Sequence, residues 1–307
     1  MTKKMETGYV YYSDKNQRKL AQEYEQFLYD KTILTNISRK LKKIAGDCKH
    51  GDDLYKFIYY GLSRRLPLLE RCVVNVFNKN PFDTGKIPSE DVRTDVVLYI
   101  HCFYIHLYGT LENLARIYAI KTGYVAKGVF DLSFFGTKNK KNKLIDTLPA
   151  NIRNKYVEDG KWLQYVKDTR DMLVHQEPGY LPPYYVKLGN DSEWQKLESL
   201  KRSEQMEYIK QLVDTNVRRS GLFPDAKEIR EQILKQKVLE QKHKDKMSLL
   251  SKQQERYQMF IPTFILDTSG GCPSILYHPQ LLVDIKTLYD KINLILDYLL
   301  QQARTTG

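Results

Sequence analysis

The chain has little cysteine, and its cysteines are not paired. Four cysteines occur among 307 residues, at Cys48, Cys72, Cys102 and Cys272, and no C-x-x-C pair is present. A disulfide framework and a zinc ribbon both need closely spaced cysteines, so neither explains this sequence. We therefore expect reduced structural thiols and no metal or other cofactor.

No apolar run is long enough for a membrane span. The longest, residues 96–108, contains His101 and His106 and is well short of the ~20 apolar residues that cross a bilayer. The first residues carry charge without a following apolar segment, which is not the pattern of a secretory signal. These absences predict a cytoplasmic protein without a membrane partner.

The sequence also lacks the short motifs of several common enzyme classes. It contains no G-x-x-x-x-G-K-[ST], no H-E-x-x-H, no G-x-S-x-G and no dinucleotide-binding glycine pattern. These motifs place phosphates, zinc ions and nucleophilic serines. ATPase, zinc-protease and serine-hydrolase functions therefore have no support in the sequence.

Positive charge is what the chain has in excess. Lysine and arginine number 49 against 37 aspartate and glutamate, which gives a formal net charge of +12. The field of such a surface attracts polyanions, so nucleic acid and anionic lipid are the favoured partners. The alternative is that the lysines serve only solubility, because net charge reports on association and not on fold.

Apolar residues recur at a spacing of three to four, which predicts a mainly α fold. Ser89 is a suitable N-cap for a long central helix, and Gly123 is a suitable residue for its C-terminal end. Pro67 should break or kink an earlier helix. The expected helices cover residues 18–44, 52–78, 89–121, 161–177, 193–219, 225–256 and 280–302. Residues 259–266 and 274–277 favour one small β-hairpin.

Composition divides the chain in the loop that begins at Pro178. Residues 1–180 are predicted to form a helical bundle. Residues 181–307 are predicted to hold an extended polar helical arm, the hairpin and a C-terminal packing helix, with one continuous domain as the alternative. Residues 240–246 have almost nothing to bury, which favours an arm exposed to solvent or laid against a partner.

One short string is a candidate for chemistry. Residues 170–175 read Arg-Asp-Met-Leu-Val-His, an R-x4-H pattern that occurs once in the chain. Arginine offers a permanently charged planar fork for phosphodiester oxygens, and histidine transfers protons near neutral pH. Asp171 and His175 are four positions apart, so a carboxylate–imidazole contact is expected. The alternative is an exposed helix face that ends in a favourable cation.

The spacing of the two candidate residues has a geometric consequence. Five positions on an ideal helix correspond to roughly 140° of rotation and about 7.5 Å of rise. Arg170 and His175 of one chain therefore do not lie side by side. A symmetric dimer, in which each subunit supplies one of the two residues, would solve this difficulty.

With this string on a late helix, residues 89–179 resemble the HEPN superfamily, whose signature is R-x4-6-H, commonly with Asn, Asp or His after the arginine. The resemblance implies a helical bundle that usually dimerises and cuts RNA without metal. It makes Arg170 and His175 the catalytic pair and Asp171 the residue that orients them. A toxin, stress or phage-defence role and an antitoxin or other regulatory partner are further implications.

The sequence departs from one pattern in that family. HEPN proteins paired with nucleotidyltransferase antitoxins often carry a tyrosine two positions after the histidine, and Glu177 stands there in this chain. Control by adenylation at that position is therefore not expected here, although Tyr180 lies near. A helical nucleic-acid- or nucleotide-binding module without catalysis is the alternative function, and a pure scaffold is a third.

Other basic and polar residues are weaker candidates. A basic tract beside Phe134 and Phe135 combines charge with aromatic rings, as single-stranded RNA requires, or is simply a solvated loop. Its candidate RNA-binding residues are Lys138, Lys140, Lys141 and Lys143. The residues that could line a cleft opposite the motif are Glu112, Asn113 and Arg116, for which an intrahelical ion pair is the simpler account. Cys102 and His106 share a helix face, but too few ligands accompany them for a metal site.

Overall fold

The computed structural model describes residues 12–30, 32–46, 48–125, 132–135, 143–158, 160–175, 178–217, 226–266 and 274–305. These residues are mainly helical, as the sequence predicts. The helices are α1 (Asp14–Tyr29), α2 (Thr32–Ala45), α3 (Asp53–Tyr55), a π-helix (Lys56–Leu62), α4 (Ser63–Lys79), α5 (Glu90–Thr122), α6 (Lys143–Asp146), α7 (Ala150–Glu158), α8 (Gly160–His175), α9 (Asp191–Val217), α10 (Ala226–Glu255) and α11 (Tyr277–Thr305). The strands are β1 (Tyr185–Val186), β2 (Gln258–Met259), β3 (Thr263–Phe264) and β4 (Ile275–Leu276).

The chain forms two compact units. The smaller unit is built around residues 184–261, and the larger one contains residues 88–183 and the C-terminal helix α11. The sequence-based division at residue 180 groups α11 with the arm, whereas the contacts group it with α1 to α8. The R-x4-H string therefore lies in the larger unit.

The central helix α5 begins and ends where the sequence predicts. The Ser89 hydroxyl accepts a hydrogen bond from the Val92 backbone N–H, and Gly123 ends the helix in the left-handed conformation with φ +66°. A side-chain cap satisfies one of the free N–H groups of the first turn, and glycine adopts positive φ without a steric penalty. Helix α5 then packs against α4, the π-helix, α8 and α11.

Two predictions about the first helices are wrong. Residues 18–44 form two helices, because Asp30 ends α1 and its carboxylate accepts from the Thr32 hydroxyl at 2.5 Å. The backbone of Asp30 leaves the helical region there, with φ −80° and ψ 60°. Pro67 does not break its helix but lies inside α4, between the buried residues Leu66 and Leu69. Tertiary packing outweighs the missing N–H there, and the irregular geometry falls earlier, in the π-helix.

The predicted hairpin is confirmed. Strands β3 and β4 pair antiparallel, with Thr263 opposite Leu276 and Phe264 opposite Ile275. A second antiparallel pair, β1 with β2, lies in the smaller unit and is not foreseen by the sequence. Its two strands are only two residues long each, which is too short for a periodic signal.

Helices α9 and α10 of the smaller unit pack through polar side chains. Tyr208 stacks on His243 with 4.1 Å between ring centroids, and Lys201 donates to Gln254 at 2.9 Å. These pairings show that the two helices run antiparallel. Contacts between polar side chains explain why both helices are polar in sequence and nevertheless pack against each other.

A buried carboxylate connects three helices of the larger unit. Asp284 of α11 is fully buried and accepts hydrogen bonds from Tyr104 of α5 at 3.0 Å and from Trp162 of α8 at 2.8 Å. Gln280, one turn earlier on α11, donates to it at 2.8 Å. Because buried polar groups need partners, this cluster fixes the first half of α8 against the core.

Candidate nucleic-acid site around Arg170

Arg170 is held against helix α5. Its guanidinium carbon lies 4.3 Å from the centroid of the Tyr108 ring, and its Nη1 donates to the Asp171 carboxylate at 2.6 Å. A cation over an aromatic face is attracted by the ring quadrupole. The side chain keeps 29% of its surface exposed, so it remains accessible from solvent. Arg170 is thus both oriented and open.

Tyr108 is itself held from its other side. The Phe135 ring stacks on it with 4.4 Å between centroids and 9° between planes. Two planar groups cannot share one face at these distances, so Tyr108 lies between Phe135 and the Arg170 guanidinium. Burial raises the pKa of the Tyr108 hydroxyl to about 12, so this ring stays neutral near neutral pH.

Glu112, one turn after Tyr108 on α5, is the next residue near Arg170. It accepts a hydrogen bond from the Ser133 hydroxyl. Burial raises the pKa of the Glu112 carboxyl, although the Ser133 hydrogen bond and the charges of Arg116 and Arg170 act in the opposite direction. Glu112 therefore lies within the electrostatic reach of Arg170.

The other two predicted cleft residues lie against a different neighbour. The Asn113 amide packs on Gly61 of the π-helix, and the Arg116 guanidinium carbon lies 5.3 Å from the Phe57 ring centroid. On a helix, positions 112 and 113 point about 100° apart. Asn113 and Arg116 therefore lie along the π-helix, and the Arg116 charge still acts on the Glu112 carboxyl one turn earlier.

The expected contact between Asp171 and His175 does not form. One Asp171 oxygen accepts from Lys167 at 2.8 Å and the other from Arg170 at 2.6 Å. Burial raises the pKa of the Asp171 carboxyl, but these hydrogen bonds and charges prevail and hold it below its usual value. His175 is exposed at the last residue of α8. Asp171 orients the arginine of the motif and not its histidine.

The basic tract falls mostly outside the described residues. Lys138, Lys140 and Lys141 are not described, and only the backbone of Lys143 is, at the start of α6. The hypothesis that these lysines bind RNA stays a prediction. Phe134 and Phe135, which precede the tract, are buried beside α5, with Phe134 against Tyr118 and Phe135 against Tyr108.

His106 forms a hydrogen bond with an arginine of α4. Its Nδ1 lies 3.1 Å from Nη1 of Arg65, a residue that no sequence motif indicates. In the part of the chain that the structure describes, no group of three or more His, Cys, Asp or Glu side chains could hold a metal ion. Tyr108, Ser133 and Arg65 carry no local sequence signal, because their partners are distant in the chain.

None of the described helices combines the length and the apolar character needed to cross a bilayer. No family model, no curated protein and no solved structure matches this chain. No similar protein therefore assigns a role to the residues around Arg170.

Proposed function

We propose that this protein is a metal-independent endoribonuclease of the HEPN type, in which Arg170 and His175 act on RNA. One observation carries the proposal. The Arg170 guanidinium is fixed by the Tyr108 ring and Asp171 yet partly open to solvent, and His175 is exposed on the same helix. Phosphodiester cleavage requires a positioned, accessible cation and an accessible imidazole, and the chain presents one of each.

The proposed chemistry follows from the two side chains. The 2′-hydroxyl of the RNA attacks the adjacent phosphorus, and the P–O bond to the 5′-oxygen breaks. Histidine accepts the proton of the attacking hydroxyl or supplies one to the leaving oxygen, and the guanidinium stabilises the charge that develops on the phosphoryl oxygens. The products are a 2′,3′-cyclic phosphate and a free 5′-hydroxyl.

We further propose that two copies of the chain form the active unit. Arg170 and His175 point in different directions from α8, so the arginine of one protomer would meet the histidine of the other. A cytoplasmic role in toxicity, stress or phage defence, with an antitoxin or regulatory partner, belongs to the same proposal through the resemblance of residues 89–179 to the HEPN superfamily.

The direct test is RNA cleavage in the presence of a chelator. We expect Arg170→Ala and His175→Ala each to reduce the cleavage rate by about a hundredfold or more, the usual contribution of one such catalytic group. Arg39→Ala, at an exposed position on α2, and His50→Ala, at an exposed position in the turn before α3, are the controls. Cleavage that both motif variants retain at the level of these controls would remove the proposed mechanism.

Mixing experiments test the dimer separately. If each site takes its arginine from one protomer and its histidine from the other, a mixture of inactive Arg170→Ala and His175→Ala proteins contains heterodimers with one intact site. Cleavage should then reappear on mixing. A mixture that stays inactive, although exchange of subunits is demonstrated, would show that both residues must come from one chain.

A second function has a specific observation in its favour. Among the described residues, the Asp171 carboxylate bonds to Lys167 and Arg170, so it does not fix the tautomer of His175. A module that binds nucleic acid through Arg170 without cutting it would need no such orientation. RNA binding that is lost in Arg170→Ala, together with no cleavage by the wild-type protein, would establish this alternative.

A further inference from the structure

Tyrosine rings gather at the surface where α3 continues into the π-helix. The Tyr55 ring lies 4.5 Å from the Tyr59 ring and 5.6 Å from the Tyr60 ring, measured between centroids. Tyr60 keeps 42% of its surface exposed, and Tyr55 and Tyr59 are half-buried. The rings therefore contact one another without belonging to the core.

The π-helix explains why Tyr55 and Tyr60 meet. On a regular α-helix, positions five apart point in directions roughly 140° apart. In a π-helix the hydrogen bonds join residues five apart, so these residues lie nearly one above the other. The winding of Lys56–Leu62 thus brings the Tyr60 ring to the Tyr55 ring. Such π-helical turns frequently occur at functional sites.

Two exposed side chains hold the Tyr60 ring. The Arg64 guanidinium carbon lies 4.3 Å from the ring centroid, and the His50 Nε2 forms a hydrogen bond with the Tyr60 hydroxyl at 2.6 Å. The imidazole plane is inclined by 76° to the ring, so His50 contacts the hydroxyl edge and does not stack on a face. A ring that is already positioned loses little conformational entropy when a ligand stacks on it.

The charge around these rings is positive. Residues 48–65 contain four lysines and arginines and two aspartates. Asp53 pairs with Lys56 at 3.1 Å, and Asp52 accepts a hydrogen bond from the Lys49 backbone N–H at 2.7 Å. No carboxylate among the described residues forms an ion pair with Arg64. Its charge is therefore free to attract an anionic partner.

We propose that the aromatic surface formed by Tyr55, Tyr59, Tyr60 and Arg64 binds single-stranded nucleic acid by stacking of its bases. Surfaces that bind single strands combine aromatic rings for the bases with cations for the backbone, and guanidinium planes stack on bases as well. The bases of a duplex are stacked on each other and do not reach the rings, so the fitting partner is a single strand. Binding here does not depend on whether the R-x4-H string cuts RNA.

Two probes separate stacking from charge. One is a single strand of about 10 deoxythymidines, within the usual site sizes of such surfaces, and the other is an abasic DNA strand with the same number of phosphates. Neither contains the 2′-hydroxyl that the proposed cleavage needs. We expect the wild-type protein to bind the thymidine strand about tenfold more tightly than the abasic strand, as stacking of one base provides.

Substitutions of Tyr60 test the stacking. Tyr60→Ala and Tyr60→Leu should each lose about tenfold in affinity for the thymidine strand and bind the abasic strand like the wild-type protein, because only the ring is missing. Tyr60→Leu keeps the apolar bulk, so the result does not depend on tolerance of alanine. Tyr60→Phe keeps the ring without the hydrogen bond to His50 and should bind both strands normally. Tyr29→Ala is the control, because Tyr29 is 82% exposed on α1.

Substitution of Arg64 tests the charge. Arg64→Gln should weaken binding of both strands, and the slope of log affinity against log salt should become shallower by about 0.7 for one lost phosphate contact. Arg39→Gln, at an exposed position on α2, removes the same charge and should keep the slope of the wild-type protein. Equal slopes for Arg64→Gln and Arg39→Gln would exclude Arg64 from the proposed surface.

Three results would overturn the proposal. They are equal affinity of the wild-type protein for the two strands, no binding of either strand, and Tyr60→Ala and Tyr60→Leu proteins that bind the thymidine strand as tightly as Tyr29→Ala. A loss by the same factor for both strands in the Tyr60 variants would also exclude stacking. A wild-type protein that prefers the thymidine strand but leaves RNA intact in chelator would disprove the nuclease proposal alone, so the two failures are distinguishable.

Discussion

Substitution of the buried carboxylate of α11 should change the pH dependence of stability in a defined direction. Asp284 accepts hydrogen bonds from Tyr104, Trp162 and Gln280. In Asp284→Asn the amide oxygen can still accept from Trp162 and Gln280, and the amide nitrogen can donate to the Tyr104 oxygen. The substitution therefore removes the ionisation while it leaves the hydrogen-bond cluster largely intact.

The magnitude follows from the pKa of this group. Burial raises the pKa of Asp284 from 3.8 to about 6, although the hydrogen bonds act in the opposite direction. Between these two pH values the native state binds more protons than the unfolded state, so the free energy of unfolding falls as the pH rises. The contribution is fully present below pH 3.8 and is lost through pH 6. A difference of about 2 pH units corresponds to about 3 kcal/mol.

The assay is urea unfolding of the wild-type protein and Asp284→Asn over a pH series at constant ionic strength. Other titrating groups are common to both proteins and cancel in the difference. We expect the stability of the variant relative to the wild type to rise by about 3 kcal/mol between pH 3.8 and pH 7, with most of the change complete near pH 6. A difference that is constant over this range would refute the assignment of Asp284 as a carboxyl with a raised pKa.

Three further changes have expected outcomes. Burial lowers the pKa of His278 to about 4, although its hydrogen bond to the Asn80 carbonyl acts in the opposite direction. The free energy of unfolding therefore decreases as the pH falls from 6.5 to 4. In His278→Gln this decrease, measured by urea unfolding, should be smaller by about 3 kcal/mol. Gly123→Ala forces a side chain into φ +66° and should lower the free energy of unfolding by about 1 kcal/mol, measured by the same method. Tyr108→Leu removes the ring under Arg170 and should lower kcat/KM for RNA about two- to fivefold, whereas Tyr108→Phe should not; equal rates for the two variants would exclude a role of the ring in positioning.

The parts of the fold that local signals specify could be predicted from the sequence. The bounds of α5 follow from Ser89 and Gly123, whose preferences for helix ends are intrinsic to those residues. The break at Asp30 was missed because the apolar spacing continues across it and a periodic pattern does not register a single turn. The helix around Pro67 was predicted, but its continuity through the proline was not, since the packing of α4 against α5 depends on residues far along the chain.

The candidate site is less predictable, because its contacts join distant parts of the chain. The sequence indicates Arg170, but not that Tyr108 lies beneath it. Asp171 has a possible partner one turn away on each side, Lys167 and His175, and the spacing alone does not choose between them. The lysine forms the contact in the structure.

The π-helix fixes the angle between the two ends of the helical run from Asp53 to Lys79. A π-helical turn amounts to an inserted residue, so deletion of one residue from Lys56–Leu62 would restore regular α-helical winding. The segment before the deletion would then rotate by about 100° relative to α4. Phe57 would then leave the Arg116 guanidinium, although both side chains would still be present. The number of residues in Lys56–Leu62 therefore determines its contacts with α5 as strictly as the residue types do.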